Sequence, residues 1–207
     1  MRLPPLKIQE LTARVPIIQG GMGIGVSLSS LAGAVAREGG IGVLSAAQPG
    51  YREPDFADHP HEANLRALSR EIHRAKEISG GGIIGVNIMC AMKNYEQYVK
   101  CCIDSGADLI ISGAGLPTNL PELVKGSGIK IAPIVSPPKS AKVLLKMWDR
   151  HHGTTADLVV IEGPKAGGHL GYSQEDLDKY AGTDYDKEIQ EILAIVAGYE
   201  EKYNKKI

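Results

Sequence analysis

The stretch Ile41-Gly-Val-Leu44, followed directly by Ser45, indicates the class of fold. Its residues are apolar throughout and do not alternate with polar residues, as they would in a half-exposed strand. Continuous apolarity of this kind is typical of a strand that is buried on both faces, as in a parallel sheet covered by helices. The run Leu158-Val-Val-Ile161 has the same character. The two runs therefore predict an α/β protein with a buried parallel sheet.

Similar apolar runs recur along the chain, and helical periodicity follows each of them. The predicted strands are 16–19, 41–44, 83–88, 108–111, 130–135 and 157–161. The predicted helices are 28–38, 62–78, 94–105, 120–125, 139–151 and 186–203. A regular alternation of strand and helix fits either a doubly wound sheet or a (β/α)₈ barrel.

The glycines after the first predicted strand argue against a doubly wound, Rossmann-type sheet. Such a sheet requires the spacing G-x-G-x-x-G, and an acidic residue at the end of the second strand to bind a ribose. The stretch Gly20-Gly-Met-Gly-Ile-Gly25 does not have this spacing, and the second strand ends in Leu44-Ser-Ala-Ala47 without an acid. The Rossmann interpretation is therefore disfavoured.

Small or polar residues end or follow each predicted strand, and they favour the barrel. They are Gly20–Gly25, Ser45, Asn87, Ser112–Gly115, Ser136 and Glu162-Gly163. In a parallel barrel the carboxyl ends of all strands meet at one rim, where the active site is built. Packing alone does not explain this pattern, so we predict a TIM-type (β/α) barrel.

The length of the chain predicts an incomplete barrel. A full barrel takes about 250 residues, and about six of its eight strand–helix units are recognisable here. The chain has 207 residues. We expect residues 1–207 to form a single barrel domain that is truncated at the C-terminus. Either a missing C-terminal segment or a partner, as in a homo-oligomer, would then cover the exposed edge of the sixth strand.

Composition excludes several classes of function. The net charge is −1, with 23 basic and 24 acidic residues spread along the chain, so we expect no nucleic-acid or anionic-membrane partner. No apolar run approaches the roughly 20 residues that cross a bilayer. The three cysteines include one adjacent pair and suggest a reduced, cytoplasmic protein. His59-Pro-His61-Glu62 is interpreted as a solvated loop that caps the next helix, so no metal site is predicted.

The stretch Val160-Ile-Glu-Gly-Pro-Lys-Ala-Gly-Gly-His-Leu-Gly171 has the densest set of chemically useful residues. Gly167 and Gly168 allow the backbone to lie against a flat ligand, because they have no Cβ atom. His169 at the rim can act as a general acid or base, or as an electrostatic clamp. Glu162 can orient His169 or bind the ligand. The alternative is a surface loop with an incidental histidine.

Four motifs, in this order, resemble the nitronate monooxygenases, formerly called 2-nitropropane dioxygenases. They are Pro16-Ile-Ile-Gln-Gly-Gly-Met-Gly23, Gly85-Val-Asn-Ile-Met89, Gly113-Ala-Gly115 and Glu162-Gly-Pro-Lys-Ala-Gly-Gly-His-Leu-Gly171. The resemblance spans essentially the whole chain. It implies a flavoprotein oxidoreductase that depends on flavin mononucleotide (FMN). Enzymes of this family are (β/α)₈ barrels that oxidise alkyl nitronates or nitroalkanes with O₂ to carbonyl compounds and nitrite.

The resemblance also assigns roles to single residues. It implies that Gly21, Met22 and Gly23 lie along the flavin ring, that Asn87 binds the polar edge of the ring, and that His169 is the catalytic residue. Glu162, Gly167 and Gly168 are likewise assigned to the cofactor site. The family holds the flavin phosphate with loops after strands seven and eight, which have no counterpart in the 207 residues, so weak retention of FMN is expected.

Two alternatives stay open. The same motifs resemble the FMN-dependent enoyl-acyl-carrier-protein reductases, in which the flavin passes a hydride from NAD(P)H to an enoyl thioester. Lys165 does not distinguish between the two families. The second alternative is an inactive half-barrel that serves as a binding or assembly module.

Overall fold

A computed structural model of the chain describes residues 3–168, 171–180 and 185–207. Two short antiparallel strands form a hairpin, and five parallel strands form the main sheet in sequence order. The hairpin consists of β1 (Leu6–Ile8) and β2 (Leu11–Ala13). The main sheet consists of β3 (Ile41–Ser45), β4 (Ile83–Met89), β5 (Leu109–Gly113), β6 (Lys130–Val135) and β7 (Val160–Ile161).

Helices connect the parallel strands and cover the sheet. They are α1 (Ser29–Arg37), α2 (Pro60–Ser79), α3 (Tyr95–Asp104), α4 (Leu120–Leu123), α5 (Pro138–His152), α6 (Gln174–Tyr180) and α7 (Asp186–Tyr203). Pro60 and Pro138 occupy the first helical position, where the missing N–H of proline has no helical partner to lose. None of the described helices is both long and apolar enough to cross a membrane.

The main sheet is curled into half of a barrel, as a partial TIM barrel. The helices pack on its outer face, where α5 buries Ala141, Leu144, Leu145 and Trp148 at the spacing of one helical face. On the inner face, residues at the starts of β3, β4 and β5 contact Ile8 and Ala13 of the hairpin. The predicted α/β class and the incomplete (β/α) barrel are therefore confirmed.

Among the described residues, the parallel sheet has five strands and not the six that the sequence predicted. The segment predicted as the first strand, 16–19, makes only an isolated parallel bridge between Ile18 and Ile41. The amide of Ile41 donates to the carbonyl of Ile17 and the amide of Gln19 donates to the carbonyl of Ile41, at 2.9 and 3.0 Å. The ladder stops on either side, because the amide of Ile17 donates to the carbonyl of Val15 and the amide of Val43 donates to the side chain of Gln19. The segment therefore lies beside β3 without becoming a strand of the sheet.

The predicted strand 157–161 is also shorter than expected, because only Val160 and Ile161 pair with β6. Asp157 accepts a hydrogen bond from the amide of Ile131 with its carboxylate, at 2.9 Å, and donates its own amide to the carbonyl of Ile131. A side chain thus takes the place of a backbone partner at this point. The hairpin and α6 are additional elements that the sequence pattern did not predict.

Helix α1 lies very close to β3, and Gly42 makes this possible. A Cβ atom at position 42 would overlap the backbone carbonyl of Ala32 in α1. Ala32 is itself fully buried. Gly42 and Ala32 are both small, and they therefore let α1 lie directly on the sheet.

Candidate active site

A cavity of about 1220 Å³ opens at the carboxyl ends of the parallel strands. It exceeds the roughly 300–1,000 Å³ of an ordinary small-molecule site, so it has room for a cofactor and a substrate together. The structure brings seven residues of the predicted site to its wall: Gly21, Met22, Gly23, Asn87, Glu162, Gly167 and Gly168. His169, the predicted catalytic residue, lies outside the described residues.

Internal hydrogen bonds hold the glycine-rich loop on one side of this cavity. The buried hydroxyl of Ser27 accepts a hydrogen bond from the amide of Met22 at 2.9 Å and from the side-chain amide of Gln19 at 2.8 Å. Gly21 lies so close to β4 that a Cβ atom there would be 2.5 Å from the Cβ of Asn87. The loop therefore lies directly against the end of β4.

The strands present small and polar groups to the cavity at their carboxyl ends, as the sequence predicted. These are Ser45 of β3, Asn87 of β4, Gly113 of β5, Ser136 after β6 and Glu162 after β7. Among the described residues, no group hydrogen-bonds to the side-chain amide of Asn87, whereas the Asn87 carbonyl accepts from the amide of Ala46 at 3.0 Å. Asn87 thus offers one donor group and one acceptor to a ligand.

Glu162 has partners within the chain. Its Oε2 accepts hydrogen bonds from the hydroxyl of Ser136 at 2.8 Å and from the amide of Gly171 at 3.0 Å. Its backbone carbonyl accepts from the hydroxyl of Tyr172 at 2.7 Å. The carboxylate lines the cavity and at the same time joins the ends of two neighbouring strands.

The opposite wall is formed by residues of α2 and α3 that sequence reasoning missed. His61, interpreted as part of a solvated loop, lies in the first turn of α2 and lines the cavity. One of its ring nitrogens, Nε2, is 2.6 Å from Oε1 of Gln97, and its ring meets Tyr98 edge-on at 5.6 Å. Burial raises the pKa of Tyr98, although a hydrogen bond with Asn64 opposes this effect. Only the fold, which brings the start of α2 to the rim, reveals this wall.

The cavity has little formal charge. Of the described residues that line it, Lys93 and Glu162 are the ones with ionised side chains at neutral pH, if histidine is counted as neutral. Met22, Met89 and Met92 supply flexible apolar surface. In the described part of the chain, no three His, Cys, Asp or Glu side chains are grouped as metal ligands would be.

The arrangement suits a flat, mostly apolar ring with a polar edge. A Cβ atom at Gly167 or Gly168 would meet no atom within 4 Å, so the backbone there is open to a ligand. The methionine side chains provide apolar contact, and the side-chain amide of Asn87 can bind a polar edge of the ring.

Comparisons with known proteins agree with this geometry. The sequence model of the nitronate monooxygenase family matches residues 5–197. No curated protein is similar enough to this chain to count as a match.

Three solved structures show the relation of the fold to known enzymes. Nitroalkane oxidase from Streptomyces ansochromogenes matches 87% of this chain and 56% of its own, with a TM-score of 0.66 and 22% identity. FabK from Thermotoga maritima matches 87% of this chain and 55% of its own, with a TM-score of 0.58 and 24% identity. A point mutant of that FabK matches 75% of this chain and 45% of its own, with a TM-score of 0.59 and 28% identity. This chain spans about half the length of these proteins.

Proposed function

Because this chain belongs to the nitronate monooxygenase family, a family of FMN-binding oxidoreductases, we propose that it forms the flavin-binding, catalytic domain of a nitronate monooxygenase. Such an enzyme oxidises alkyl nitronates or nitroalkanes with O₂ to carbonyl compounds and nitrite. The observation that carries the proposal is the cavity of about 1220 Å³ at the carboxyl ends of the strands. This is the face on which TIM-barrel enzymes build their active sites.

The described residues of the cavity fit FMN. Gly21, Met22 and Gly23 would lie along the flavin ring, and the side-chain amide of Asn87, which has no hydrogen bond within the described part of the chain, would bind its polar edge. Gly167 and Gly168 would leave the backbone open to the other side of the cofactor. When bound, FMN supplies the acceptor for the electrons of the substrate and the reductant for O₂.

His169 would act on the substrate itself. As a cation or as a hydrogen-bond donor, it would stabilise the negative charge of a bound nitronate. If the substrate is a neutral nitroalkane, His169 would instead remove the proton from the carbon next to the nitro group. This assignment rests on the family resemblance and on the position of His169 next to Gly167 and Gly168 in the sequence.

The test is turnover of propyl 2-nitronate by the purified chain with added FMN, measured as O₂ consumption and nitrite release without NAD(P)H. We expect His169→Ala to lower kcat/KM by about 10²- to 10⁴-fold, the usual contribution of a positioned acid or base. His151→Ala, at the exposed end of α5, is the matched control and should leave kcat/KM unchanged. Normal turnover by His169→Ala would exclude the role proposed for this residue.

The structural likeness to FabK supports a second candidate. FabK is an FMN-dependent enoyl-acyl-carrier-protein reductase, and its point mutant is 28% identical to this chain over the matched region. The candidate predicts NAD(P)H oxidation in the presence of a crotonyl thioester and little turnover of nitronate. A folded chain that neither binds added FMN nor turns over either substrate would instead indicate a binding or assembly module.

A further inference from the structure

The ends of β6 and β7 are joined weakly by the sheet. Only two register pairs connect these strands, Ile134 with Val160 and Val135 with Ile161. One further backbone hydrogen bond, from the amide of Glu162 to the carbonyl of Val135 at 2.8 Å, extends the ladder. The cavity wall that follows β7 therefore needs support from outside the sheet.

A closed circuit of side-chain hydrogen bonds provides this support. On one side, the hydroxyl of Ser136 donates to the carboxylate of Glu162 at 2.8 Å. On the other side, the hydroxyl of Tyr172 lies 2.7 Å from the carbonyl of Glu162 and 2.5 Å from the hydroxyl of Tyr185. The hydroxyl of Tyr185 in turn donates to the carbonyl of Ser136. We call these four residues the strand-end circuit.

The two tyrosines are suited to this position. Their rings meet edge-on at 6.2 Å, and Tyr180 packs edge-on against both. Tyrosine hydroxyls keep their protons at neutral pH, and burial raises the pKa of Tyr172 and of Tyr185 further, so both remain donors at alkaline pH as well. The hydroxyl of Tyr172 has one hydrogen for two acceptors, and the hydroxyl of Tyr185 donates a hydrogen bond to the carbonyl of Ser136. The four residues are therefore coupled through shared hydrogen bonds.

Two members of the circuit flank, in the sequence, the segment that contains Gly167, Gly168 and His169. Glu162 and Tyr172 stand at the two ends of the segment 163–171, and the Glu162 carboxylate also accepts from the amide of Gly171 at 3.0 Å. Within this segment Gly167 and Gly168 line the cavity. Gly171 and Tyr172 are thus both anchored to Glu162, at the carboxyl end of β7.

We propose that Tyr172 and Tyr185 are positioning residues that hold Gly167, Gly168 and Gly171 at the cavity wall through the strand-end circuit. They act on the site through Ser136 and Glu162. The structural part of this inference stands without the proposed function. Its catalytic part, the effect on turnover, rests on the proposed function.

The deciding experiment is amide hydrogen exchange by mass spectrometry on the unliganded chain. Tyr172→Phe and Tyr185→Phe remove one hydroxyl each and keep the ring. We expect exchange in the segment 163–171 to become about three- to tenfold faster in both, as the loss of one hydrogen bond implies. Tyr180→Phe is the matched control, because its ring packs in the same cluster, whereas its hydroxyl is hydrogen-bonded to Glu188. Unchanged exchange in both circuit variants, or equal acceleration in the control, would overturn the proposal.

The double variant tests whether the two hydroxyls form one unit. If they do, removing both accelerates exchange no more than removing the more effective one, because either change opens the circuit. Accelerations that multiply would show two independent contacts and contradict the circuit.

A functional measurement separates this inference from the proposed function. In the FMN-loaded chain, Tyr185→Phe should lower kcat for propyl 2-nitronate more than it changes KM, whereas Tyr180→Phe should change neither. If wild type and variants alike fail to turn over nitronate, the proposed function is wrong, and the exchange data still decide on the circuit.

Discussion

Gly21 and Gly167 show two different uses of glycine in the same cavity wall. At Gly21 the missing Cβ lets the loop touch β4, because an added carbon would lie 2.5 Å from the Cβ of Asn87. At Gly167 an added carbon would meet nothing within 4 Å, so the missing side chain leaves room for a ligand. The sequence shows both positions as glycine, and only the contacts distinguish their uses.

This difference predicts the effect of Gly21→Ala. The new methyl group must push Asn87 or the loop aside, at a cost of about 1–3 kcal/mol in the free energy of unfolding. The same movement displaces the amide of Asn87, so we also expect weaker binding of FMN. Urea denaturation and fluorescence titration with FMN measure the two effects.

Gly20→Ala is the matched control for this prediction. An added Cβ at Gly20 would have no neighbour within 4 Å. It should therefore change stability by no more than about 0.5 kcal/mol, as most surface substitutions do. Equal losses of stability in the two variants would show that the contact with Asn87 is not the cause.

At the residue scale, the sequence predicted the strand-end groups of the site but missed its helical wall and its tyrosines. Asn87 and Glu162 were recognisable because each directly follows an apolar run. His61, Tyr172 and Tyr185 are far from any strand in the sequence, and they reach the cavity or its support only through tertiary contacts. No local pattern distinguishes them from surface residues.

At the scale of elements, two aspartates explain why strands start later than predicted. The carboxylate of Asp108 accepts from the amide of Ile84 at 2.7 Å, and that of Asp157 accepts from the amide of Ile131 at 2.9 Å. Each aspartate uses its side chain to pair with the neighbouring strand. The apolar runs located the five strands of the parallel sheet, but the side-chain pairing that replaces the backbone ladder depends on a neighbour that is distant in sequence.

The close packing of α1 on β3 predicts that Gly42→Ala is strongly destabilising. A Cβ at this position would overlap the carbonyl of Ala32, and a rigid backbone cannot yield as a flexible side chain does. We expect a loss of about 1–3 kcal/mol or more in the free energy of unfolding, measured by urea denaturation.

Gly198→Ala in α7 is the control, because it is the same substitution at a position without a close neighbour. An added Cβ at Gly198 would have open space around it, and alanine is a better helix former than glycine. This variant should be stabilised by roughly 0.5–1 kcal/mol. A comparable loss of stability in both variants would contradict the packing explanation.

At the scale of the whole molecule, buried tyrosines link stability to alkaline pH. Tyr95 is 8% exposed, and its hydroxyl donates to that of Ser112 at 2.9 Å, since Ser112 itself donates to the carbonyl of Ile88. Burial raises the pKa of Tyr95 from its ordinary value of 10.0. Burial, together with Asp149, also raises the pKa of Tyr203 to about 12.

These shifts predict a loss of stability above about pH 10, where tyrosines ionise in the unfolded chain. The folded protein keeps these protons to higher pH, so the unfolded state binds fewer protons and the free energy of unfolding falls as pH rises. Each retained proton contributes a slope of at most about 1.4 kcal/mol per pH unit. Urea denaturation between pH 8 and pH 11 measures the slope.

Tyr95→Phe isolates the contribution of one residue. At pH 8 the variant should be less stable than the wild type by roughly 1 kcal/mol, because it lacks the hydrogen bond to Ser112. Above pH 10 this difference should shrink, since phenylalanine does not ionise. Stability curves that stay parallel up to pH 11 would show that Tyr95 does not contribute to the pH dependence.

The sequence by itself determined the α/β class, the incomplete barrel and the strand-end part of the candidate site. These properties follow from local patterns: apolar runs buried on both faces, helices with one apolar side, and small or polar residues where the runs end. Parallel strands then bring those ends to a common rim by topology alone.

Only the tertiary structure decided that Ile18 forms a bridge instead of a strand, that His61 lines the cavity, and that Tyr172 and Tyr185 close the circuit over Ser136 and Glu162. Each of these features joins residues that lie far apart in the sequence. The physical reason is that such contacts depend on where the curled sheet and its helices bring side chains together. A local pattern of residues does not give the distances between residues that are far apart in the sequence.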